Sequence, residues 1–160
     1  MSDVPAMPTK ELAPVGCQHA LRLLVPVKGP DGASQAIDYA ISRNAVGCQV
    51  EVALLHVETA PALWQQGTGT LFVHARRMLD RSAIDCSAYV RSGDVAFAIL
   101  DAAEELNCSE IVVPAPARRL ARLWSNRVVD ALLAGQRSIP VVTVSQRGIR
   151  QPEFAATTPI

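Results

Sequence analysis

The chain has 160 residues and a mass of 17.1 kDa, with 49% hydrophobic and 19% charged residues, enough apolar side chain for one buried core and too much for a disordered polymer. Lys+Arg 15 cancel Asp+Glu 15, so no global field draws nucleic acid or an anionic membrane. No apolar run approaches the roughly 18 to 20 residues that span a bilayer, and Met1 to Gly16 lacks the basic head and apolar stretch of an export signal, so a cytoplasmic protein with no membrane partner is expected.

The first predicted element is a strand, Ala20 to Val27, an aliphatic run stopped by the turn-forming residues Lys28 to Gly32. A helix follows, with Ile37, Ala40, Ile41 and Asn44 on one face, Asp31 or Ser34 available as N-cap and Gly47 as its stop. Gln49 to Val57 is a second strand. Glu58 to Gly69, with Pro61, Gly67 and Gly69, reads as loop. Leu71, Ala75, Met78 and Leu79 mark a second amphipathic helix, capped near Thr70.

The third strand is Ile84 to Val90. Asp94 is placed to cap a third helix whose core stripe is Val95, Ile99, Ala102 or Ala103, and Leu106. Glu110 to Val113 is short and continuously apolar after its first residue, as a buried central strand is. A basic stretch, Arg118 to Arg127, leads into a fourth helix carrying Val128, Val129, Leu132 and Leu133, which Gly135 and Pro140 end before a fifth strand, Val141 to Val144. Met1 to Gly16 and Gln146 to Ile160 lack periodicity and read as mobile tails, leaving residues 1–19 as leader, 20–145 as the domain and 146–160 as tail.

Cys17, Cys48, Cys86 and Cys108 form no C-x-x-C pair, so neither a zinc site nor a redox motif is indicated. All four are expected as free thiols, three of them small buried hydrophobes beside strands.

Alternating strands and helices predict an α/β, Rossmann-like parallel sheet with helices on both faces. Ligands of such sheets bind beyond the carboxyl ends of the strands, where the strand order reverses. Pro26, Val27, Lys28 and Asp31 after the first strand, Val57 at the end of the second, and Pro114 to Arg127 after the fourth are therefore the candidate positions.

The segment from Leu21 to Val57, LRLLVPVKGPDGASQAIDYAISRNAVGCQVEVALLHV, resembles the opening of the universal stress proteins. A strand ending V-P-V or V-A-V, a D-G-S-like turn, a helix and a strand ending L-H-V follow there in that order. SGDVAFAILDAAEELNCSEIVV and SIPVVTV resemble the family's later helix, its I-V-V strand and its closing strand, so the likeness runs from Arg22 to Ser145. It implies an adenine nucleotide alpha-hydrolase-like sheet of order 3-2-1-4-5 and a non-enzymatic stress-response module. It also implies a homodimer formed through Val141, Val142, Thr143 and Val144, and, in one branch, bound ATP.

That branch carries G-x-x-G, nine residues, then G-S or G-T, because glycine lets backbone amides approach phosphate oxygens. Here the motif begins at Pro114 and Ala117 and ends at Arg127 and Val128, or at Ser125 and Asn126 if the register shifts. No register restores a glycine. Pro114 has no N–H to give, and Lys28, a donor-only cation, stands where an adenine-contacting acid is usual. The resemblance therefore points to the branch without tight nucleotide binding, with no required cofactor.

An alternative keeps weak ATP or AMP, with Arg118, Ser125, Asn126 and Arg127 supplying side-chain donors. Against it, Leu120, Leu123, Trp124 and Val128 can form a packed face whose solvated side is Arg118, Arg119, Arg122 and Arg127. Two tryptophans and two tyrosines are too few for a single-strand nucleic-acid surface. His56 reads as a core or backbone-bonded histidine, and His19 and His74 belong to no metal-spaced set. KGPDGAS resembles in part the S-G-G-x-D-S loop of ATP pyrophosphatases, without its leading serine and paired glycines, which makes a nucleotide-hydrolysing enzyme the third reading.

Overall fold

The computed structural model describes residues 20–28, 33–59, 68–114, 126–135, 138–144 and 150–152. In chain order the elements are β1 Leu21–Pro26, α1 Ser34–Ala45, β2 Val50–Glu58, α2 Thr68–Leu71, α3 Val73–Arg81, β3 Asp85–Ser92, α4 Val95–Glu105, β4 Glu110–Pro114, α5 Asn126–Ala134, β5 Val141–Val144 and β6 Arg150–Pro152. The sheet order is β3-β2-β1-β4-β5-β6. Its first five strands are parallel and stand in the expected order, with the switch of direction at β1.

Alternation along the strands sends side chains to two cores. Leu23, Val25, Val27, Val52, Leu54 and Val112 face α1 and α3, where Ile37, Ala40, Ala75 and Leu79 close over them. Leu24, Ala53, Leu55, Val57, Ile111 and Val113 face α4 and α5, under Ile99, Ala102, Ala103 and Leu132. Both faces of β1 from Leu23 and of β4 through Val113 are buried, which is why Leu23 to Pro26 and Ile111 to Val113 read as continuous apolar runs. β3, at the edge, alternates between exposed and half-buried residues.

Three of the helices return to the sheet through one device. In α1, the Gly47 N–H donates to Asn44 O and the Cys48 N–H to Arg43 O, with Gly47 at φ 94°. After α3 the same pair of bonds runs from Ala83 to Asp80 and Ile84 to Leu79, and after α4 from Asn107 to Glu104 and Cys108 to Ala103. Ala83 and Asn107 sit at φ 54° and 52°. This is the Schellman closure, in which a left-handed residue lets two amides satisfy orphan helix carbonyls and the following residue turns inward. That following residue is Cys48, Ile84 or Cys108, each buried.

Several expectations are corrected. α1 begins after Ala33 with no side-chain cap, so Ser34 does not cap it, and Asp31 lies outside the described residues. The second predicted helix is split into α2 and α3 with Phe72 at the junction, and Thr70 lies inside α2 rather than at a cap; burial of Phe72 at 7% exposure fixes the joint. The expected tail contributes β6, which pairs antiparallel with β5 through Val142↔Pro152, Thr143↔Gln151 and Val144↔Arg150. The outer edge of β5 is thus occupied by the chain itself. Cys48 is disulfide-bonded while Cys86 and Cys108 are free, so the expectation of four free thiols fails. Spacing along the chain does not report the Cα separation in space that permits the bond. Cys17 lies outside the described residues.

Candidate functional site

The carboxyl ends of the parallel strands carry the candidate site. Pro26 closes β1, and beyond it the Val27 N–H donates to Leu55 O at 2.7 Å. The Val27 carbonyl then accepts from His56 Nδ1 at 2.9 Å, so His56 is a backbone-bonded histidine, and the acceptor identifies Nδ1 as the protonated nitrogen. Pro26 and Val27 are buried and Lys28 is exposed. Lys28 therefore stands exposed just past the carboxyl end of β1, at the switch point.

Pro114 is the last residue of β4 and pairs with Val144 of β5. Its ring nitrogen offers no donor at the head of the loop that follows. Ala117, Arg118, Arg119, Arg122, Trp124 and Ser125 lie outside the described residues. Asn126 opens α5, followed by exposed Arg127 and half-buried Val128.

An open cleft of about 590 Å³ lies on the α4 and α5 side, lined by Thr59, Gly93, Asp94, Val95, Ala96, Arg127, Val128 and Ala131. The structure thus brings Arg127 and Val128 together with the start of α4, and not with Lys28, Val57 or Pro114, which are absent from the lining. Sequence reasoning named Arg127 and Val128, treated Asp94 as a cap and missed Thr59, Gly93, Ala96 and Ala131 as wall residues. The available signal was Ser92-Gly93-Asp94 ahead of a helix, a strand-to-helix turn at the carboxyl end of the sheet.

Gly93 is built for its turn. It has φ 122° and its N–H donates to Glu58 O at 3.1 Å, while a Cβ there would meet nothing within 4 Å; the requirement is conformational, not steric. Asp94 then accepts from the Phe97 N–H at 3.0 Å as the cap of α4. A carboxylate at a helix N-terminus already occupies the place where the partial positive charge of the helix favours an anion. Among the described residues the cleft wall carries one acid and one arginine, Asp94 and Arg127, whose charges balance.

A model of the universal stress protein family matches residues 20–145. The chain belongs to the universal stress protein family. Solved structures show the same fold. A universal stress protein in complex with cAMP matches with a TM-score of 0.60 at 13% identity, over 79% of this chain and 97% of its own. A family protein from Arabidopsis thaliana with AMP bound matches with 0.57 at 15%, over 78% and 91%. One from Burkholderia pseudomallei matches with 0.55 at 20%, over 77% and 94%. Comparison with curated proteins returns no match.

Membership of the universal stress proteins makes this a stress-response protein of Rossmann-like fold. Among the described residues no group of three His, Cys, Asp or Glu side chains could hold a metal ion, and no helix is long and apolar enough to cross a membrane.

Proposed function

We propose that the protein is a non-enzymatic, homodimeric stress-response module of the universal stress protein family, from the branch without tight nucleotide binding. One observation carries the reading: the strand that leads into the family's phosphate loop ends in Pro114, locked into the sheet opposite Val144 and unable to donate. Lys28, in place of an adenine-contacting acid, points the same way. Loss of a hydrogen bond to a charged group costs about 1.5 to 3 kcal/mol, so two losses move micromolar binding toward millimolar. The test is the small-molecule content of protein purified from cells, read by absorbance and mass after denaturation. Protein free of nucleotide is expected, and a stoichiometric adenine nucleotide overturns the reading.

A second reading, weak AMP or ATP held by side-chain donors, is favoured by Arg127 in the cleft and by the relatives solved with cAMP and AMP. It predicts that Arg127→Ala abolishes what nucleotide binding there is. Hydrolysis is expected in neither case. The homodimer seam along Val141 to Val144 requires β6 to leave β5. The reading places the protein in the cytosol, where the Cys48 disulfide is a bond that the reducing pool opens.

A further inference from the structure

The other edge of the sheet is β3. β3 pairs with β2 over its whole length, from Glu51↔Asp85 to Glu58↔Ser92, and among the described residues no strand lies on its outer side. An eight-residue edge strand without proline or lysine is long enough to take another strand, and the two charges it carries, Asp85 and Arg91, are of opposite sign.

Its hydrogen-bonding direction is set. The Gly93 N–H turns inward to Glu58 O, so by strand alternation Arg91, Tyr89, Ser87 and Asp85 also turn their backbone groups toward β2. Cys86, Ala88 and Val90 present theirs outward. These outward groups form a template for one more strand, and the sequence D-C-S-A-Y-V-R is complementary to its own reverse. Laid antiparallel on a second copy about a twofold axis through Ala88, Cys86 meets the partner's Val90 in hydrogen-bonded pairs. Asp85 then falls opposite the partner's Arg91 in a non-hydrogen-bonded pair, the kind whose side chains approach most closely.

The register is selective. Moving the axis by one residue, to Ser87 or Tyr89, sets Arg91 opposite Ala83 or Ser87 and leaves both charges without a complement. Opposite charges directly across a ladder stabilise it and like charges oppose it. Asp85 is exposed, and Val90, 46% exposed, is a large apolar side chain left at the surface on the same strand. Arg91 donates to Glu105 at 2.5 Å, and a guanidinium has donors left for a second carboxylate.

We propose that two copies of this chain associate through β3, antiparallel about Ala88, joining their sheets across reciprocal Asp85–Arg91 pairs. This rests on the homodimer part of the function proposed above, moves its seam from Val141–Val144, which β6 covers, to β3, and is independent of its nucleotide part.

The test is sedimentation of the full chain at micromolar concentration for wild type, Asp85→Arg, Arg91→Asp and the double exchange, with circular dichroism to check folding. A wild-type dimer is expected, weakened at least about tenfold by either single reversal, a shift of about 1.4 kcal/mol, and restored by the double exchange. Asp85→Arg is the cleaner single, since Arg91→Asp also loses Glu105; Asp85→Asn is the milder form should it fold poorly. A dimer indifferent to all these changes overturns the β3 seam and leaves the homodimer standing. A wild-type monomer overturns both.

Discussion

Ala83 holds a left-handed backbone at φ 54° at the same point of the Schellman turn where α1 uses Gly47. A non-glycine residue there costs on the order of 1 kcal/mol, so Ala83→Gly is expected to raise stability by about 0.5 to 1 kcal/mol, read as a higher urea midpoint with unchanged slope. Gly47 announced its turn in the sequence; alanine carries no such signal, so the equivalence of the two turns was visible in the backbone alone. The same motif explains the buried cysteines as the inward residue after the left-handed one. Burial pushes the Cys108 thiol from 9.0 up to about 11, partly offset by Arg22. Its contribution is full below pH 9.0 and falls as pH rises toward about 11, because the unfolded chain ionises first. Cys108→Ala is expected to flatten the loss of stability over that window, and native Cys108 to resist alkylation until the protein is denatured. Tyr39 provides a further residue-scale test. Its hydroxyl donates to buried Glu110 at 2.8 Å and accepts from Arg43 at 3.0 Å, pinning α1 to the start of β4. Tyr39→Phe is expected to cost about 1.5 to 3 kcal/mol in denaturant unfolding.

Among the elements, β5 and β6 change how an interface is to be tested. Val142 is 3% exposed and belongs to the core over α1. Val142→Lys would therefore bury an unpaired charge and unfold the domain, reporting nothing about a seam. Removal of residues 146–160 is the better experiment, since it strips β6 from β5 and leaves Val141 to Val144 as an apolar edge. The truncated chain is expected to sediment as species larger than those of the full chain, and identical profiles would contradict a protective role for β6. The sequence of β6, Arg-Gln-Pro, has no apolar alternation, which is why it read as tail; what places it is the edge it covers. Its arginine and terminal proline suit an outermost strand, where further pairing is unwanted.

At the scale of the molecule, the strands were legible as short aliphatic runs stopped by Gly, Pro and Asp, and β1 to β5 fall where those runs predict within about two residues, while their order came from the family resemblance. The site was legible in part. Pro26, Val27 and Pro114 stand at the strand ends as the pattern required, but the pairing of Arg127 with Gly93, Asp94 and Thr59 in one cleft depends on how α4 and α5 lie together, which no local spacing encodes. We propose that the phosphate cradle of this family is disarmed here, by proline and alanine at the glycine positions and a lysine where the base-contacting acid is usual. Isothermal titration of the wild-type protein with ATP and Mg²⁺ tests it most directly. Heat too weak to fit, or a dissociation constant near millimolar, is the predicted result; binding tighter than about 10 μM, or about −7 kcal/mol, would contradict it.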